Sequence, residues 1–400
     1  MSQTRSVEEG KGSAGRGVHI KSLASRSFKL FKRRPSTRTV IKIAILIAAA
    51  MAALFRLPSG LIERFYSNGL YPWLQSWLTP FANLLPFALI DALLIALAVG
   101  FPIWWTVRIR KAGRGRRKRA VASLALNSLV LVGAIFLSFQ LLWGFNYMRE
   151  PLTYKLEYDQ QRITPQSELE MIRRTVEQLN LETIDAHSNS WGDSRELRRM
   201  LEPSFDETLA MMGNGWKIAT AIPKKTLLDR YLGATGVDGF TNPFGHEVLL
   251  NSDLLSFEKP FTLAHEWAHL AGYADESEAN FVAFLTCVRS DLPSVRYSGW
   301  LALYSYLSSV RRARSSDEGF AAAIPALAPE VKADLRAMIE RSQKRLSPTL
   351  SRAQGEVYDR YLKANRVEAG IESYSLMVRL MLGTRFDDGW VPARRNQQTD

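Results

Sequence analysis

Two of the chain's five histidines stand four residues apart in "TLAHEWAHLAGYADESEANF" (residues 262–281), with a glutamate directly after the first and three acids within residues 275–278. On a helix, His265 and His269 share one face. Two imidazoles so placed can hold one Zn²⁺ at ~2.0–2.1 Å. Glu266 is rotated from His265 by about 100°. It cannot ligate alongside both histidines, but it can take a proton from a water at the metal and pass it to a leaving amine. A catalytic zinc keeps three protein ligands and one open position, so a third ligand is required. Apart from the motif's own His and Glu, every residue from 262 to 273 is uncharged, as a buried active-site helix demands.

Three acids compete for the third position. Gly272 stands where a C-terminal glycine ends a helix. Asp275 and Glu278, three apart just before the apolar "FVAFL", have the spacing of a capping box, Asp275 as N-cap and Glu278 as its partner. Glu276 is left over at the first helical position, and Asn280 lies four residues on, on the same face. Glu-x-x-x-Asn/Asp on the following helix is how gluzincin-type metallopeptidases supply their third ligand and its hydrogen-bonding neighbour. Glu276 is therefore the first choice. Asp275 is an alternate, because "HEWAHLAGYAD" also fits a metzincin-like spacing with Asp in place of the last His. Glu278 is a second alternate.

The elements that must position this site are mostly helical. "TPQSELEMIRRTVEQLN" opens with Thr164 as N-cap and Pro165 at the first helical position. A second helix covers about 194–212, and helices resume from about 260 to 382. Between about 216 and 250 the pattern changes to the Gly-rich "ATGVDGFTNPFGHEVLLN", which predicts a small hairpin or sheet. "FGHEVLLN" is a candidate edge strand for an extended peptide, with His246 and Glu247 facing the site; an exposed hairpin is the competing reading. Tyr273 and Tyr374 are candidate oxyanion donors, though aromatics at such positions more often simply pack. Residues 1–38 and 384–400 read as a disordered basic tail and a flexible polar tail.

The net charge of +13 divides unevenly. Residues 1–119 hold 21 Lys/Arg against four Asp/Glu, +17, and the remainder 31 against 35, −4. The segment with the histidines therefore offers no basic stripe of the kind that binds nucleic acid. The single cysteine, Cys287, excludes an intrachain disulfide and a Cys-rich zinc cluster. Three apolar runs, about 40–56, 82–107 and 120–145, are expected to cross a bilayer within a membrane domain spanning 39–145. Trp104, Trp105 and Trp143 sit near their ends as interfacial anchors. Basic residues precede the first run and fill the loop "RIRKAGRGRRKR". The positive-inside rule then places the N-terminus in the cytoplasm and residues 146–383 on the extracytoplasmic side. Asp91 falls inside the second run, where it is expected to be protonated or paired, for example with Lys42.

These segments resemble a family of bacterial membrane proteins, domain of unknown function 3810. The resemblance runs over roughly 60–385 and includes "YSNGLYPWL", "LPFALID", "WGFNYMREPL", "GFTNPFGHEVLLN", "RYSGWLALYSYL" and "YDRYLKANRVEAGIESYSLMVRLML". Its most specific element is H-E-x-x-H followed by E-x-E-A-N, present here as His265, Glu266, His269, Glu276, Glu278, Ala279 and Asn280. Asp275 is less typical of that family. The resemblance implies a mainly α protein: three N-terminal transmembrane helices followed by a largely helical zincin-like domain with a small β-hairpin or sheet. The expected activity is zinc-dependent hydrolysis of a peptide or protein substrate at a bacterial inner membrane. The alternative is a non-catalytic envelope protein that uses the fold or the metal structurally. Intramembrane proteolysis is disfavoured, because the apolar run 261–273 is too short to cross a bilayer.

Overall fold

The computed structural model describes residues 36–188, 191–313, 317–365 and 373–395. The tail 1–38 lies, up to residue 35, outside the described residues, as do residues 396–400.

Three helices are long and apolar enough to cross a membrane. Thr37–Leu54 (α1) is capped by Ser36, whose hydroxyl accepts from Thr39 N. A helical stretch follows, widened to π turns over Ile62–Leu70 and continuing as Tyr71–Leu84 (α2). The second candidate span is Leu89–Lys111 (α3); the third, Arg114–Leu142, contains the helix Arg117–Leu142 (α4), which packs against α1 with Gly133 beside Ala49. The second span starts later than its hydropathy predicts. Leu85 precedes Pro86, which disfavours the α conformation, and Leu85 is extended. Asp91 therefore lies within the span but in its first turn, at the end rather than in the middle. Its partners are not Lys42, which donates instead to Asn127. Asp91 accepts from Thr226 Oγ1 at 2.7 Å and Leu227 N at 2.9 Å, tying the start of the span to the domain beyond it.

That domain is helical. Pro165–Ser188 (α5) starts where Thr164 accepts from Ser167 N, and Ser194–Met211 (α6) follows, capped by Asp193. Asp229–Thr235 (α7) leads into the antiparallel hairpin Gly239–Asn242 (β1) and Glu247–Leu250 (β2), with Gly239 opposite Leu250 and Asn242 opposite Glu247. Lys259–Leu270 (α8) carries the two histidines, and Glu276–Val288 (α9) carries the acids. Along α9 every residue except Glu278 is buried. A helix apolar nearly all round belongs at the centre, and Phe281 and Phe284 pack in one core with Trp267 of α8 and Tyr297 of the next helix, Pro293–Tyr306 (α10). Pro329–Arg345 (α11) and Pro348–Ala364 (α12) each pack against α7, and Ser373–Gly383 (α13) returns to the core.

The chain does not loosen at 384. Phe386–Asp387 (β3) pairs with Val391–Pro392 (β4), and bridges join Tyr158 to Thr384 and Leu156 to Arg394. Arg385 N donates to Glu157 O, and Glu157 N to Ala393 O. Polar side chains on 384–395 masked a backbone that is satisfied by pairing with residues 155–159, a contact no local pattern encodes.

Candidate metal centre

The geometry of the cluster begins with how α8 stops. Gly272 has φ 85°, and Tyr273 N reaches back to Ala268 O at 3.0 Å while Gly272 N reaches His269 O at 3.0 Å. This is a glycine C-cap of the Schellman kind. It turns the chain so that α9 begins four residues later. Asp275 caps α9, its carboxylate accepting from Ser277 N at 2.8 Å and Glu278 N at 3.4 Å. Glu278 does not close the expected capping box. It turns away to accept from Leu152 N at 2.6 Å, and burial with the nearby Asp275 charge pushes its carboxyl up to about 7. The structure thus directs Asp275 and Glu278 to other partners, and brings only Glu276 to the histidines.

His265, His269 and Glu276 form a group whose ligand atoms lie within 4.8 Å of one another. The two Nε2 atoms are 3.1 Å apart. Glu276 Oε2 lies 3.2 Å from His265 Nε2 and 3.6 Å from His269 Nε2. Ligands ~2.0–2.1 Å from a tetrahedral zinc stand about 3.3 Å from one another, so these separations bracket the required value. The donor set fits in chemistry as well. His269 Nδ1 faces the Tyr273 carbonyl at 2.7 Å, which can only accept; the proton therefore sits on Nδ1 and Nε2 offers its lone pair to the cluster. Three acceptor atoms converging in a buried space repel one another unless a cation lies between them. Without a metal, protons must serve. Burial alone would lower the pKa of His269, but the Glu276 carboxylate outweighs it and raises it to about 9. Burial likewise works to raise Glu276, yet the facing imidazoles hold its carboxyl well below the usual range.

The other predicted residues divide. Glu266 is buried beside the cluster, accepting from Thr241 Oγ1 through Oε2 at 2.6 Å. Burial raises its pKa, with the neighbouring imidazoles opposing. Asn280 is buried but its side chain makes no hydrogen bond to Glu276: its Oδ1 accepts from Tyr306 Oη at 3.0 Å. The hydroxyl that binds Glu276 Oε1 belongs to Tyr358 of α12. Tyr273 contributes its carbonyl, while its ring lies under the Arg149 guanidinium at 4.9 Å. The side chain of Tyr374 lies outside the described residues.

His246 and Glu247 do not face the cluster. His246, at φ 47° and fully buried, directs Nε2 to Leu142 O at 2.9 Å, at the end of α4. Desolvation lowers its pKa to about 4, so it is neutral there. Glu247 accepts from Leu89 N and Ile90 N, both at 2.9 Å, and pairs with Lys224 at 3.0 Å. A carboxylate at exposed N–H groups of a helix start is a favourable cap, and here it caps a candidate span. The strand beside the cluster is β1, where Thr241 holds Glu266 and where a Cβ on Gly239 would lie 2.9 Å from Glu266 Cδ and Cγ. Sequence reasoning missed Thr241 and Tyr358, which stand 25 and 82 residues from the groups they bind.

Fold and site together define a mainly helical protein in which a largely buried His–His–Glu cluster sits in a domain bound to the ends of the second and third apolar helices. The chain belongs to the family described as protein of unknown function (DUF3810), whose family model matches residues 66–382. The matched stretch contains the second and third candidate spans and the whole cluster. Neither the curated proteins nor the solved structures yield a match to this chain.

Proposed function

We propose that this protein is a zinc metallopeptidase anchored in the bacterial inner membrane by three spans, with its N-terminus cytoplasmic and its catalytic domain extracytoplasmic. The observation that carries the reading is the mutual spacing of His265 Nε2, His269 Nε2 and Glu276 Oε2, at 3.1, 3.2 and 3.6 Å. Zinc in such a site supplies a Lewis acid and a water whose pKa falls to about 7. Glu266 then acts as general base. Thr241 engages its Oε2, which leaves Oε1 as the atom that would accept a water proton and return it to a leaving amine. Its raised pKa suits a group that must hold that proton between the two steps. The basic residues before α1 and between α3 and α4 support the orientation.

Zinc content of the purified full chain tests the metal. About one zinc per chain is expected in the wild type and near none in His265→Ala; near-zero content in both ends the proposal. One feature favours a second reading, a structural metal: Glu266 is 4% exposed, closed in by Thr241 and Gly239. Glu266→Gln separates the two. A catalytic role predicts that it fails to complement a null strain while retaining zinc, and full complementation leaves the structural reading.

A further inference from the structure

The helix α2 is built inside out. Tyr71, Gln75, Thr79 and Ala82 form one stripe, each with 0% exposure, and two of the four are polar. Their polar groups are all used by the domain. Tyr71 Oη donates to Leu270 O at 2.9 Å, Thr79 Oγ1 to His246 O at 2.8 Å, and Gln75 Nε2 to Ala219 O at 2.6 Å. The opposite stripe is Trp73, Trp77, Phe81 and Leu84, exposed by 60, 68, 54 and 80%. A helix in water shows the reverse arrangement, polar residues out and apolar residues in. No charged residue occurs from Phe65 to Ile90.

We propose that α2 lies in the outer leaflet of the bilayer, its Trp73–Trp77–Phe81–Leu84 stripe facing lipid, so that the membrane forms the surface under the metal-binding helix. Continuity argues for lipid as the occupant. The segment connects the end of α1 at Leu54 with the start of α3 at Leu89, so both of its ends are fixed at one face of the spans. Two tryptophans on the outward stripe match the residue favoured at the headgroup boundary. Amphipathic helices lying in a membrane normally turn a charged face to water; here the polar face is turned to the domain, and Tyr71 contacts the last turn of α8. Resting on the peptidase reading, this placement selects as substrates chain segments that emerge from the outer leaflet.

The test does not depend on catalysis. Single cysteines at Trp77 and Phe81, spin-labelled in the full chain, are reconstituted into phosphatidylcholine–phosphatidylglycerol vesicles, with Trp73→Cys as an independent third site. Collision with dissolved oxygen and with a water-soluble nickel chelate is measured by power saturation. Ile103→Cys on α3 is the lipid reference and Ile184→Cys on α5 the water reference; these residues are 56 and 74% exposed. The native Cys287 is fully buried, and the unsubstituted chain gives the labelling blank. Labels at 77 and 81 are expected to match Ile103→Cys, with nickel collision several-fold below that at 184. Values like those at 184 overturn the proposal. So does concentration-dependent shielding from both reagents, which would mark a second copy of the chain as the occupant.

Discussion

Tyr358→Phe tests the metal site through a residue that would not touch the metal. The hydroxyl of Tyr358 donates to Glu276 Oε1, while Oε2 faces the imidazoles. Removing it leaves the ring in place and takes away one hydrogen bond to a buried carboxylate that is 3% exposed. A hydrogen bond to a charged group contributes about 1.5–3 kcal/mol. At about 1.4 kcal/mol per decade, zinc affinity should fall ~10- to ~100-fold, the range seen when the hydrogen-bonding neighbours of metal ligands are lost. Tyr361→Phe is the control. Its ring stacks on Tyr358 with centroids 5.8 Å apart, but its hydroxyl pairs with Tyr147 at 3.4 Å rather than with Glu276. The assay is competition for zinc against a chromophoric chelator, using the full chain in detergent. Equal affinity in wild type, Tyr358→Phe and Tyr361→Phe would refute the assignment of Glu276 as a ligand oriented from α12.

Gly239→Ala should act on the base alone. A Cβ there would lie 2.9 Å from Glu266 Cδ and Cγ, against ~3.5–4.0 Å for ordinary carbon contact; the carboxylate must move by up to about 1 Å, and turnover on a quenched peptide library should drop ~100-fold with zinc content unchanged. Zinc affinity should rise about tenfold per pH unit from pH 7 to about 9, and then level, because the metal must displace the proton that the cluster holds with His269 at about 9. The same shift fixes the sign for the metal-free protein. His269 is raised above its unfolded value of 6.5, so its stabilisation is complete below that pH and is lost as pH climbs through about 9; a denaturant midpoint that rises over this window would contradict it. Gly272→Ala places a side chain at φ 85° with its Cβ 3.0 Å from Asn146 Oδ1. It should cost about 1–3 kcal/mol, read as a lower thermal midpoint in detergent.

What the sequence made legible is short-range. The four-residue spacing of His265 and His269, the stop at Gly272 and the cap at Asp275 each depend on residues within one or two helical turns, and all three appear as read. Elimination by capping pointed to Glu276, although Glu278 proved to serve Leu152 rather than the cap. The failures are long-range. "FGHEVLLN" contains residue types that suit an active site, yet His246 and Glu247 bind the ends of α4 and α3. Residues 57–81 fall between the first two apolar runs, and there the polar Gln75 and Thr79 interrupt the apolar pattern. Those two are the buried residues, so periodicity alone assigns the faces of α2 the wrong way round.

The way α8 ends removes the idea of a detachable anchor. Its last carbonyls need donors. Trp267 O and Ala268 O receive them locally, from Ala271 N and Tyr273 N. His269 O also accepts from Trp143 Nε1 at 3.0 Å, Leu270 O from Tyr71 Oη at 2.9 Å, and Ala271 O from Arg149 Nη1 at 3.1 Å. Two of these three donors come from residues before 146, and the third, Arg149, is itself held by Glu63 at 3.0 Å. The Trp143 ring also stands edge-on to His269, with centroids 6.1 Å apart. A cut between the apolar helices and the domain would leave buried carbonyls and Arg149 without these partners, at a cost of about 1–3 kcal/mol for each unsatisfied group. Residues 39–145 therefore act as part of the frame that fixes the metal-binding helix, which places the cluster next to whatever surface those helices occupy.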